Sequence, residues 1–232
     1  MTGCTSCGNK GGCDHRKGAM FAAIDDALGR LYPSRRWDDR VDSDPGAASA
    51  AECAAELGRR LATKLGTLAL VRRGGPDECC DYVYVLCLGR RPSILEVREG
   101  AASPADTWHE SGGEAVLELH LRVALSTLAP FAAVQQVALA MTAVEGELVI
   151  EETPRTGVFD GILLPRLRGL VAVLAEFGIR NLDFGDLTHP PDGFDGTAHS
   201  DRYGTPPVIA NYLFYPQPCA AITTTVHSLR RS

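Results

Sequence analysis

Cysteines are the residues of this 232-residue chain best equipped for chemistry, and three of its eight stand close together. The opening MTGCTSCGNKGGCDHRK spaces Cys4, Cys7 and Cys13 as Cys-x2-Cys-x5-Cys. Two intervening residues let a tight turn aim two thiolates at one centre. The run Gly8-Asn9-Lys10-Gly11-Gly12 reads as a loop that folds around an inorganic core with its N–H groups turned inward. Those donors, with Lys10, Arg16 and Lys17, offset the negative charge of thiolates and sulfides. Three thiolates in a glycine-rich wrap suit a [4Fe–4S] cluster, and a [3Fe–4S] centre needs no fourth ligand. A tetrahedral zinc could instead take Cys4, Cys7, Cys13 and His15, although Cys13 and His15 are closer together than zinc-finger ligands usually stand.

The Cys4-x2-Cys7-x5-Cys13 run resembles the cluster-binding run of the large iron–sulfur subunit of NADH dehydrogenases and of iron-only hydrogenases. The resemblance covers about a dozen residues and implies a bound cluster. In those families a histidine four residues ahead of the first cysteine supplies the fourth ligand, and this sequence has no residue there. The fourth ligand is then sought among His15, Asp14, Cys79, Cys80 and Cys219. The chain is also similar, more loosely, to cysteine-armed accessory proteins associated with nickel–iron hydrogenases.

The remaining cysteines divide by context. Cys79 and Cys80 follow Gly74-Gly75-Pro76-Asp77-Glu78, a turn signal that places them at a loop–strand junction. Cys219 stands in a proline-flanked loop. Cys87, in an apolar strand, and Cys53, on an alanine-rich helix, read as small core hydrophobes.

Other constellations promise less. Asp183-Phe184-Gly185 matches the magnesium-holding tripeptide of protein kinases, but the rest of that set is absent, so a strand end with a glycine turn is expected. His189, Asp192, Asp195, His199 and Asp201 lie within thirteen loop residues. Turn capping by the aspartates is the expectation, with metal ligation the alternative. Trp108 is read as an exposed loop residue on a contact surface. No Walker loop or G-x-G-x-x-G is present, and no catalytic pairing can be drawn from the spacing.

Composition narrows the class. Apolar residues make up 45% and charged residues 22%, which excludes wholesale disorder. A net charge of −6 with 6% aromatics argues against a nucleic-acid surface. No apolar run approaches the roughly 20 residues of a membrane span, and cysteines occupy the place of a signal-peptide core, so a cytoplasmic protein is expected.

These residues need elements to position them. Gly18–Leu31 repeats apolar residues at helical spacing, and Ala47–Leu65 puts Cys53, Leu57, Leu61 and Leu65 on one stripe. Strands are expected at Thr67–Arg72, Tyr82–Leu88, Ser93–Arg98 and Ala115–Ala124, with a hairpin turn at Gly89–Pro92. In the fourth, Glu118, His120 and Arg122 share a face that should be wet, with leucines towards the core. Pro130–Ala143 reads as helix, Glu147–Glu151 as strand, Phe159–Phe177 as helix ended by Gly178, and Ile179–Phe184 as strand.

The expected architecture is α+β, a mainly antiparallel sheet with packed helices behind a cysteine-rich N-terminal arm. Residues 1–17 form the arm, 18–66 a helical segment and 67–232 the body. The expected function is an iron–sulfur electron-transfer or accessory subunit docked on larger redox enzyme subunits, without catalysis of its own. Two alternatives are a zinc-stabilised interaction module and a maturation scaffold that delivers a cluster or metal.

Overall fold

The computed structural model describes residues 10–41, 50–74, 79–89, 91–145, 147–155, 161, 163–214 and 222–228. The chain order is α1 (Lys10–Leu31), α2 (Ala50–Leu65), β1 (Ala69–Arg72), β2 (Cys80–Leu88), α3 (Ile94–Arg98) and α4 (Pro104–Glu110). Then follow β3 (Val116–Ser126), β4 (Phe131–Val144), β5 (Glu147–Arg155), α5 (Leu164–Glu176) and β6 (Arg180–Leu182). Last come α6 (Phe184–Thr188), α7 (Thr197–Tyr203), α8 (Ile209–Leu213) and β7 (Ile222–Ser228).

The class is α+β. One sheet runs β1-β2-β3-β4-β5-β7 with every neighbour antiparallel, and short β6 pairs in parallel with the start of β4. Side chains alternate across a strand, so this sheet has two faces to cover, and helices cover both. Ala54, Leu57 and Leu61 of α2, with Leu170, Val173 and Leu174 of α5, bury Val83, Val85, Leu121, Val123 and Leu125 on one face. On the other, α1 lays Ile24, Ala27, Leu28 and Leu31 into a core with Tyr82, Tyr84, Val137, Leu139 and Met141, joined by apolar residues of α3, α6 and α8. The two helices of residues 18–66 therefore lie on opposite faces of the sheet, and α1 runs without a break through residue 17.

Three local readings need correction. Ser93–Arg98 is no strand, and no hairpin follows β2: Ser93 caps α3, accepting from Glu96 N at 3.3 Å while Glu96 Oε2 accepts from Ser93 N at 2.7 Å. That reciprocal pair is a capping box, which starts a helix. Residues 131–144 form β4, not a helix. Their alanine content favours a helix in isolation, but a strand hydrogen-bonded on both edges and apolar on both faces overrides that preference. The Gly11-Gly12 stretch lies within α1 rather than in a loop. Elsewhere Gly178, at φ +70°, stops α5 as expected, with Ile179 N closing onto Leu174 O at 3.0 Å. Among the described residues, no helix is long and apolar enough to cross a membrane.

Candidate functional site

Cys4, Cys7 and Cys219 lie outside the described residues. Cys13, Asp14 and His15 fall in the opening turns of α1. Cys79 and Cys80 are buried in the core beneath α1, and Cys79 Sγ accepts from Arg40 Nη1 at 2.9 Å. Among the described residues, no three His, Cys, Asp or Glu side chains group to hold a metal ion. Cys87 and Cys53, read as small core hydrophobes, are only half-buried and pack against the edge of the core under α2 and α5; burial pushes both thiols up, and the Arg166 guanidinium draws Cys87 back.

The 189–201 segment is not all loop: turns run to Gly196, and His199 and Asp201 lie on α7. Asp195 accepts from Thr197 N at 2.9 Å and Oγ1 at 2.6 Å, and these bonds lower its pKa, as a turn-capping aspartate should behave. His199 is buried, with Nδ1 2.8 Å from Thr205 O and its ring 4.6 Å from that of Trp37. Asp183 caps α6 in a capping box with Asp186, so the Asp-Phe-Gly tripeptide marks a helix start rather than a glycine turn. Trp108 sits on α4, partly buried against the core, not in an exposed loop.

The largest departure from the sequence reading is on β3. Glu118, His120 and Arg122 do share a face, but none is wet: with Glu152 of β5, each is at most 1% exposed. The expected polarity is reversed at the start of the strand, where Leu117 is 66% exposed. The cause is the roof of α1, α3 and α4 over this face, where one wet side was expected.

Under that roof the ionic groups join in a network. Glu152 bridges two guanidiniums, accepting from Arg98 Nη1 at 2.7 Å through Oε2 and from Arg122 Nη1 through Oε1. Tyr84 OH adds bonds of 3.2 and 3.0 Å to the two oxygens. Arg122 Nη2 donates to Gln135 Oε1 at 2.6 Å, and the Arg98 guanidinium lies 4.8 Å from the centre of the Tyr84 ring. Burial alone would lower the Arg98 pKa, but Tyr84 and Glu152 together raise it. Tyr84 itself is raised by burial and by the Glu152 charge.

A second pair adjoins it. His120 Nε2 lies 3.0 Å from Glu118 Oε2, which also accepts from Ile94 N at 3.0 Å. A carboxylate can only accept, so Nε2 carries the proton of that bond and Nδ1 faces inward. Arg98 Nη2, Arg122 Nε, Glu118 Oε1 and His120 Nδ1 are buried without a hydrogen-bond partner. A carboxylate-oriented imidazole beside two guanidiniums is chemically competent for proton transfer on an anion. Here the set is sealed from solvent, and Glu118 ties the sheet to the first residue of α3. Alternation along the sequence marks the β3 members of this network, but that alternation does not mark the helical roof that buries them. No protein-family model, no curated protein and no solved structure matches the chain.

Proposed function

We propose that this chain is an iron–sulfur protein that carries electrons within, or to, a larger oxidoreductase complex, with a hydrogenase as the favoured partner. One observation carries the reading: the Cys4-x2-Cys7-x5-Cys13 run, whose third cysteine opens the helix that is then built into the core. The first N–H groups of a helix lack intrahelical acceptors and carry partial positive charge, which favours thiolates and an anionic cluster. The burial of Cys79 and Cys80 in the core favours a centre held by the arm's three cysteines. A bound cluster would supply one-electron transfer. The arm residues would hold it, and α1 would fix its attachment to the body.

The test is anaerobic purification of the full chain, with iron, acid-labile sulfide and zinc measured alongside absorption and EPR spectra. About three to four irons and four sulfides per chain, with a broad visible band, are the expected result. About one zinc without sulfide would replace the reading with a structural interaction module.

A further inference from the structure

A cleft of about 510 Å³ opens between α1 and the segment that follows α6. That volume lies in the usual range for a small-molecule site. Its floor is apolar, made by Ile24 and Leu28 of α1 and Ile209 of α8, all buried. One wall is the Phe21 ring, tilted against the His189 ring at 5.4 Å.

The rim is charged, with an excess of carboxylate. Asp25 and Asp192 are both exposed there, against the single guanidinium of Arg35. That guanidinium is already engaged: Nη2 is 3.2 Å from Asp25 Oδ2, Nη1 donates to Asp192 O at 3.0 Å, and the group lies 5.2 Å from the centre of the Phe194 ring. Arg35 is also held in the left-handed region at φ 54°, with its N–H donating to Tyr32 O and its carbonyl accepting from Asp195 N, both at 2.8 Å. A non-glycine residue keeps that conformation only where its surroundings impose it. The cleft thus combines a fixed cation, two carboxylates, an apolar floor and an aromatic face.

We infer that this cleft binds a small organic ammonium ion with an apolar body. The body lies on Ile24, Leu28 and Ile209, and the ammonium group sits between the Asp192 carboxylate and the Phe21 ring, whose face attracts a cation, beside the Asp25 carboxylate that Arg35 already holds. An anion of the same shape meets the carboxylates instead and is rejected. The inference does not rest on the iron–sulfur reading, because none of the described residues lining the cleft belongs to the arm.

The experiment titrates the full-length protein, labelled with ¹⁵N, with 2-phenylethylammonium, 3-phenylpropionate and 3-phenylpropanol. The ammonium ion should bind about tenfold more tightly than the carboxylate, with amide shifts centred on Phe21, Ala22 and Ile209. Asp25→Asn combined with Asp192→Asn, both at exposed positions, should weaken the ammonium about fivefold without weakening the carboxylate. Ala22→Trp, at an exposed position in the cleft, should block all three ligands. Equal or tighter binding of the carboxylate, shifts elsewhere, binding unaffected by Ala22→Trp, or no ammonium binding at about 10 mM would each overturn the inference.

Discussion

His120 and Glu118 are hydrogen-bonded Nε2 to Oε2 at 3.0 Å, two residues apart on a strand face that solvent does not reach. The same Glu118 oxygen takes the Ile94 N–H at the start of α3, so one carboxylate ties the sheet to its roof. The polar row of β3 is therefore an internal clamp, and its members should be sensitive in proportion to the charge each leaves unpaired.

Glu152 is the most exacting test. Glu152→Ala removes the anion shared by Arg98, Arg122 and Tyr84 and leaves two guanidiniums buried without it. Breaking a buried pair from one side costs about 3–5 kcal/mol, and Glu152→Gln should cost less because its carbonyl still accepts. Urea denaturation of both variants measures the difference. A loss below about 1 kcal/mol for Glu152→Ala would contradict the clamp.

Gly89 probes the same carboxylate from outside. A Cβ there would stand 2.9 Å from Glu118 Cγ and 2.9 Å from Leu86 Cδ1. Gly89→Ala should displace the Glu118 side chain and destabilise by about 1–3 kcal/mol, as overpacking does. Thermal unfolding should therefore occur at a lower temperature than in the parent.

Alkaline pH should unfold the protein through its buried tyrosines. Burial and the Asp195 charge push Tyr212 up to about 12; burial also raises Tyr32, and burial with Glu152 raises Tyr84. In the unfolded chain each ionises near its ordinary value of about 10. Above that pH the unfolded state has lost protons that the native state retains, so stability present below pH 10 falls as pH rises. For Tyr212 the slope approaches about 1.4 kcal/mol per unit until pH 12. Denaturation midpoints measured at pH 8, 10 and 11 should decline, and Tyr212→Phe should flatten the decline.

The cysteines separate cluster from core. Cys7→Ser and Cys13→Ser should each abolish the visible chromophore, whereas Cys53→Ala, on the far face of the sheet from α1, should leave it intact. Absorption spectra of the three anaerobically purified variants decide this. A full chromophore in either serine variant would remove that residue from the ligand set.

Period-2 alternation is enough to locate β3, the apolar run Tyr82–Leu88 marks β2, and the segment of β5, the apolar stripe of α2 and the stop at Gly178 are equally readable. The signals that failed were of two kinds. Ser93-x-x-Glu96 is a helix-start pattern present in the chain, but it was overshadowed by the β-branched and apolar residues Ile94, Leu95 and Val97, which face the core from a helix instead. In β4, alanines at 132, 133, 138, 140 and 143 raise helix propensity, and only the strands on either side decide against it. These failures compounded on the polar row: without α3 as a helix above the sheet, nothing marked the face of Glu118, His120 and Arg122 as closed. Leu117, apolar yet largely exposed, was misplaced for the same reason, since its side of the sheet lies beyond the cover of α2 and α5.

The position of β7 at the outer edge of β5 bears on how this protein is made. Strands β2 to β5 each pair with the preceding strand, so β1 to β5 can assemble in the order in which they leave the ribosome. The partner of β5 on its other side comes only after β6 and four helices, α5 to α8, have been translated. Throughout that interval the nascent chain displays one open row of N–H and C=O groups on a nine-residue strand, a template for pairing with another chain. Synthesis halted before residue 222 would leave that row open for good, so abortive translation products should form aggregates where the finished polypeptide does not.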